Sequence, residues 1–298
     1  MKTHGRRRRR WFLALGLPVL LVVGYAAWAY WPAQRAAPVA GNGPVRSADA
    51  PWALTVDGGS ERPGGPPGKT CVGTLVAPRA VVTAAHCIAG RTPDQVRVGV
   101  GRTDLRGREG RTVAVSDIWT VPGYPDGLPG FFDGVLARPG SPPDIGVLLL
   151  KNPVPERPLP MATTSQARPA AGTSARVTGW RVSPQDEPLL WQTPTTLLDD
   201  TRCVRAAADA TKGVPPVWHG FRYPTDAYLC AGAGRSTFRI RASDSGAPLI
   251  TGGRLIGVAN WTPDDDPAAP MYYARVGTYS DHITRLIAAA GTSGTFPH

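Results

Sequence analysis

The chain has 298 residues, 42% hydrophobic and 18% charged, with a formal net charge of +11. That composition excludes a disordered polymer, and the length suits one large domain or two ordinary ones. Lys2, Arg6, Arg7, Arg8, Arg9, Arg10, Arg35 and Arg46 supply eight of the positive charges before the first acidic residue, Asp49, so everything after Arg46 carries a surplus of only +3. A nucleic-acid-reading surface would place its basic residues on the folded domain, and nucleic acid is not expected as a partner.

The basic cluster, in a tail over residues 1–10, precedes an apolar neighbour. Trp11 to Trp31 is a run of 21 residues without a charge, and about 20 apolar residues suffice to cross a bilayer as a helix. Arginines on its N-terminal side keep that end in the cytoplasm, and Trp28, Tyr30 and Trp31 suit the far interface. The expectation is a retained membrane anchor, or a signal peptide cleaved near Ala27-Trp28-Ala29, with the body outside the cytoplasm. A twin-arginine export signal can also be read at Arg9-Arg10. Residues 32–50, rich in Ala, Pro and Gly, read as a flexible linker, which places a folded domain over residues 51–298.

Within that domain, short aliphatic or β-branched runs alternate with Gly/Pro turns, beginning at Pro51–Val56. Strands are predicted at 70–75, 80–83, 95–100, 112–120, 145–150, 175–180, 248–250, 255–261 and 271–276, a pattern of many short strands that suggests an all-β barrel or sandwich. Helix is predicted at 84–89, as a short turn, and at 280–290, where Ile283, Leu286 and Ile287 recur at helical spacing. Residues 200–210 could add a third helix, and the Gly/Pro-rich insert 122–143 reads as a long surface loop.

Four cysteines in an exported protein imply disulfides. Of the three possible connectivities, Cys71–Cys87 with Cys203–Cys230 closes two short loops and is the pairing expected.

Three segments carry chemistry: Thr83-Ala84-Ala85-His86-Cys87, Asp144 before Ile145–Leu150, and Ser243-Asp244-Ser245-Gly246-Ala247-Pro248. A serine hydroxyl needs a base within hydrogen-bond reach, and that base needs an acceptor on its other nitrogen. Of five histidines only His86 sits in an apolar, small-residue segment beside a cysteine; His4, His219, His282 and His298 do not. Asp144 stands at the mouth of an apolar strand, where a carboxylate is costly unless partnered, with Asp117, Asp126 and Asp133 as alternatives. Gly246 allows a sharp bend that projects Ser245 and aligns the Ser243 and Ser245 amides as an oxyanion hole.

These segments, in the order His, Asp, Ser, with Thr178-Gly179-Trp180, Cys230-Ala231-Gly232 and the spacing from Cys230 to Ser245, resemble the trypsin/chymotrypsin family from Pro51 to the final helix. The resemblance implies two packed six-stranded antiparallel β-barrels with a C-terminal helix, here following the N-terminal membrane-spanning or signal helix. It further implies a serine endopeptidase with His86 as base, Asp144 orienting it and Ser245 attacking the peptide carbonyl. It implies a polypeptide substrate and no metal or cofactor, and a monomer is expected. The alternative is a non-catalytic homologue acting as a binding module.

Departures from the family pattern qualify that reading. Ser243 replaces a glycine of the oxyanion turn, and the usual Ile-Val-Gly-Gly terminus is missing. Cleavage after Arg46 would leave four residues before Pro51, reaching at most about 14 Å, so Arg239 or Arg241 is expected to pair with Asp244 instead. In the primary specificity pocket Arg239 occupies the floor position, and Thr262 and Met271 stand at wall positions that are glycine in trypsin. Cleavage after Lys or Arg is therefore not expected; an acidic or small residue suits the pocket better.

Overall fold

Period-two patterning closes the chain into two antiparallel barrels. The computed structural model describes residues 41–58, 70–124, 142–166, 168–180, 187–210, 223–232, 244–262 and 269–297. The 11–31 segment, Asp126, Asp133, Arg239, Arg241 and Ser243 lie outside these residues. Among the described residues no helix is long and apolar enough to cross a membrane.

The first barrel is built from β2 (Ala53–Asp57), β3 (Thr70–Ala77), β4 (Ala80–Thr83), β5 (Arg97–Val100), β6 (Arg111–Thr120) and β7 (Gly146–Leu150), and closes in the order β2-β3-β4-β7-β6-β5. In β6, Val113, Val115, Asp117 and Trp119 form the buried row while their neighbours are more exposed, as alternation in a half-buried strand requires. Asp117 on that row is engaged away from any catalytic role: it accepts the Ile118 N–H at 2.8 Å and the Phe296 N–H at 2.6 Å, tying down the C-terminal segment.

The second barrel comprises β8 (Ser174–Trp180), β9 (Leu190–Leu197), β10 (Tyr228–Gly232), β11 (Pro248–Thr251), β12 (Arg254–Trp261) and β13 (Met271–Arg275), and closes through β9–β8 and β11–β8 pairing. A short strand, β1 (Gly43–Pro44), adds to β9 outside this ring. Residues 43–50, assigned to the linker by composition, are thus bonded to the folded body: Val45 N–H reaches Leu190 O at 2.8 Å and Ser47 N–H reaches Thr103 Oγ1 at 3.0 Å.

Among the described residues two α-helices join the barrels, α1 (Asp200–Ala210) and α2 (Ser280–Ser293). Helix α2 buries Ile283, Leu286 and Ala290, and His282 lies against Trp119 of β6 with ring centroids 5.0 Å apart. Cys71 is bonded to Cys87 and Cys203 to Cys230.

On the surface of the first barrel, Arg111 grips Glu156 with a two-pronged ion pair at 2.8 and 2.5 Å. The guanidinium hydrogen bond holds the Glu156 carboxyl below its ordinary range. A carboxyl lowered by folding stabilises the fold above its unfolded pKa, and the contribution disappears as pH falls through the lowered folded value. Glu156→Gln is expected to lower the urea midpoint at neutral pH, by about 0.5 kcal/mol given the exposure of Arg111, and to match wild type at strongly acidic pH. An equal loss at both pH values would contradict this assignment.

Candidate active site

His86 lies in a single 3-10 turn, Ala85–Cys87, directly after β4. The Cys71–Cys87 disulfide fastens that turn to β3. Close approach does the rest: a Cβ at Gly146, the first residue of β7, would lie 2.5 Å from Ile88 Cδ1 and 3.3 Å from Ala85 Cα. Only glycine lets β7 press this near to the histidine turn, and Asp144 sits two residues upstream.

The Asp144 carboxylate consequently meets His86 twice. Oδ1 accepts the His86 backbone N–H at 2.8 Å, and Oδ2 lies 2.6 Å from Nδ1. Both side chains are almost completely buried, 4% and 3% exposed. A carboxylate at Nδ1 fixes the proton there and leaves Nε2 with its lone pair. Nε2 is itself buried and has no hydrogen-bond partner among the described residues.

Ser245 comes from the second barrel, in the turn between Asp244 and β11. Its carbonyl accepts the Val72 N–H of β3 at 2.8 Å, while Gly246 N–H bonds to Ala259 O of β12 at 2.8 Å and Ala247 N–H to Asp244 O at 2.9 Å. Gly246 has φ +84°, and a Cβ there would meet Val72 O at 2.1 Å, Thr83 Oγ1 at 2.5 Å and Ala84 N at 3.2 Å. The serine turn is therefore pressed against the residues that lead into His86. Asp244 is fully buried, and its negative charge adds to burial in raising the Tyr273 phenol well above its ordinary pKa.

The outer end of the second barrel brings two expected pocket residues together. Trp261 pairs with Tyr272 across β12 and β13, so Thr262, next after Trp261, and Met271, next before Tyr272, flank the same rung. Met271 is 8% exposed. Among the described residues, Cys71, His86 and Cys87 are close enough to share a metal ion, but both sulfurs are consumed by the disulfide, which leaves one nitrogen and no thiolate. Two buried polar residues escaped sequence reasoning: Tyr228, which belongs to no motif, and Asn260, inside the Gly257–Trp261 run. Asn260 Nδ2 donates to the Tyr228 hydroxyl at 3.3 Å.

Two closed barrels, with a buried histidine–carboxylate pair from one and a tightly held serine turn from the other, define a chymotrypsin-like architecture. The chain belongs to the trypsin family: the model of the family described as Trypsin matches residues 39–283. The match begins upstream of Pro51 and takes in β1. A protein named "Trypsin" from Saccharopolyspora erythraea is 34% identical over 74% of this chain and 87% of its own length. Human "Kallikrein-2" is 29% identical over 74% of this chain and 80% of its own length. Among solved structures, the scabies mite inactivated protease paralogue S-D1 aligns with TM-score 0.63 and 21% identity, covering 84% of this chain and 98% of that one. Human heparin binding protein aligns with TM-score 0.61 and 21% identity, over 84% and 97%. These two establish the fold alone.

Proposed function

We propose that the protein is a serine endopeptidase that hydrolyses polypeptides outside the cytoplasm through His86, Asp144 and Ser245. The observation that carries this reading is the buried His86–Asp144 pair at 2.6 Å, which leaves the opposite ring nitrogen without a hydrogen-bond partner among the described residues. In the cycle, Ser245 Oγ attacks the scissile carbonyl and its proton passes to His86 Nε2. Asp144 holds the ring and stabilises the imidazolium. His86 then protonates the leaving amine, and a water activated by the same nitrogen releases the acyl group from Ser245. The Ser243 and Ser245 amides would receive the oxyanion, each donor contributing about 3 kcal/mol. Arg239, Thr262 and Met271 would shape a pocket that disfavours Lys and Arg. The arginine run before the uncharged 11–31 segment supports anchoring or export through that segment, and the two disulfides fit an oxidising compartment.

A fluorophosphonate probe tests the chemistry, since it reacts only with an activated serine. Wild type is expected to label and Ser245→Ala not to. Folded wild-type protein that stays unlabelled would favour the second reading, a binding module, which the side chain at Ser243 also favours. Cleavage profiling on a peptide library then reads the pocket.

A further inference from the structure

At the end of the second barrel where β12 begins and β13 finishes, a cavity of about 250 Å³ opens between those strands and the segment that joins the two barrels. The joining segment is laced to β12 there: Leu255 N–H bonds to Pro160 O and Ala162 N–H to Leu255 O, both at 2.9 Å. Thr262 and Met271 stand at the opposite ends of the same two strands, roughly 25 Å away along β12. Leu229 and Ile256 give the cavity an apolar floor, 1% and 4% exposed. Its side-chain polar groups are mainly donors. Arg254 is fastened through Nη1–H to Met161 O at 3.2 Å, which leaves its remaining N–H groups to the cavity. Arg275, the second arginine of the lining, makes no side-chain hydrogen bond or ion pair with the described residues. Gln166 Oε1 accepts the Thr163 N–H at 2.9 Å, so the NH₂ end of that amide is the one left to face a ligand. No Asp or Glu lines the cavity.

Arg46, Arg106, Arg111 and Arg168 each meet a carboxylate. Arg254 and Arg275, both half-buried, instead face one cavity with no counter-charge in its lining. Two such guanidiniums repel each other and have given up part of their hydration. An anion seated between them offsets both costs, and the guanidinium fork matches the oxygens of a phosphoryl group. A phosphate monoester carries a charge of about −1.5 to −2 near neutral pH, which balances two arginines, and its ester group would rest on Leu229 and Ile256. We propose that this cavity binds a phosphate monoester, with Arg254, Arg275 and the Gln166 NH₂ on the phosphoryl oxygens. The bonds that lace the joining segment to β12 hold the walls in place beforehand, so little has to be ordered on binding. The site stands independently of the catalytic reading of His86, Asp144 and Ser245.

Phenyl phosphate is the probe, titrated calorimetrically into the full chain at constant ionic strength so that general screening cancels. It is expected to bind at one site per chain and more tightly than inorganic phosphate, because only the ester reaches the apolar floor. Arg254→Gln and Arg275→Gln should each weaken it about 10- to 100-fold, the contribution of one charge-assisted hydrogen bond. Arg176→Gln, which removes a guanidinium bonded to Gln192 outside this cavity, should leave binding unchanged. Gln166→Glu keeps an acceptor for the Thr163 N–H but sets a carboxylate beside the arginines, and should abolish binding without lowering Tm. A phosphoserine peptide distinguishes the source of the phosphoryl group: weaker binding than phenyl phosphate assigns the site to a free ester, tighter binding to a phosphorylated chain, and either supports it. No binding of any of the three ligands overturns the proposal, as does binding that persists undiminished in Arg275→Gln. Should the arginine variants not fold, undiminished binding in Gln166→Glu overturns it instead. Fluorophosphonate labelling is expected to be equal in wild type and Gln166→Glu, so loss of the phosphate site and loss of the catalytic reading are read separately.

Discussion

Asp144→Asn is expected to leave the fold in place and reduce the inactivation rate by the fluorophosphonate probe about 10⁴-fold, the magnitude seen when a triad carboxylate becomes an amide. The reason lies in the two bonds that Asp144 accepts, from the His86 backbone N–H at 2.8 Å and at Nδ1 at 2.6 Å. A carboxylate serves both, whereas an amide has one acceptor and one donor. With the amide oxygen on the backbone N–H, the NH₂ group faces Nδ1 and forces that nitrogen to accept. The ring proton then moves to Nε2, the nitrogen that must take the serine proton. Turning the amide round restores the tautomer but sets NH₂ against the backbone N–H, in a site too buried for water to relieve the conflict. Paired measurements of kinact and of the Nδ1–H resonance decide the matter: both should collapse together. An Asn variant within tenfold of wild type would mean that the pair does not orient the base.

That pair was legible in the sequence because a histidine beside a cysteine and an aspartate before an apolar run are local signals. Most strands were legible for a similar reason, each alternating run such as Thr112–Thr120 reporting which face is buried. Strand β9 was not. Its sequence, Leu190-Trp191-Gln192-Thr193-Pro194-Thr195-Thr196-Leu197, carries a proline and four polar residues counting Thr193 and Thr195 on its buried row, which masks the period. Pro194 is tolerated because the far edge of β9 is paired only at its ends, by β1 near Trp191 and by β10 near Leu197. Strand β1 was hidden in a Pro/Gly-rich stretch whose composition matches that of a linker, since two residues of pairing leave no period to read. The contact between Tyr228 and Asn260 was invisible for a different reason: the two side chains meet from β10 and β12, and no spacing along the chain encodes it. The same limit applies to Gly246, whose sequence context shows a turn but not what the turn rests against.

Gly246→Ala is expected to damage both stability and labelling, and a matched glycine separates the two causes. At φ +84° a residue with a Cβ is strained by about 1–2 kcal/mol, and here the new methyl would also sit 2.1 Å from Val72 O and 2.5 Å from Thr83 Oγ1. Those two atoms cannot part easily, because Thr83 Oγ1–H is bonded to Val72 O at 2.7 Å and Val72 N–H to Ser245 O at 2.8 Å. Relief must come from the serine turn backing away from the first barrel, at a further cost of about 1–3 kcal/mol for overpacking. Gly172 has nearly the same dihedral, φ +82°, and nothing within 4 Å of its hypothetical Cβ, so Gly172→Ala should suffer the conformational strain alone. Thermal melts are expected to place Gly246→Ala clearly below Gly172→Ala, and the folded fraction of Gly246→Ala should still fail to label because Ser245 has moved from His86. Equal melting temperatures with wild-type labelling in both variants would show that the serine turn does not depend on its seat against Val72 and Thr83.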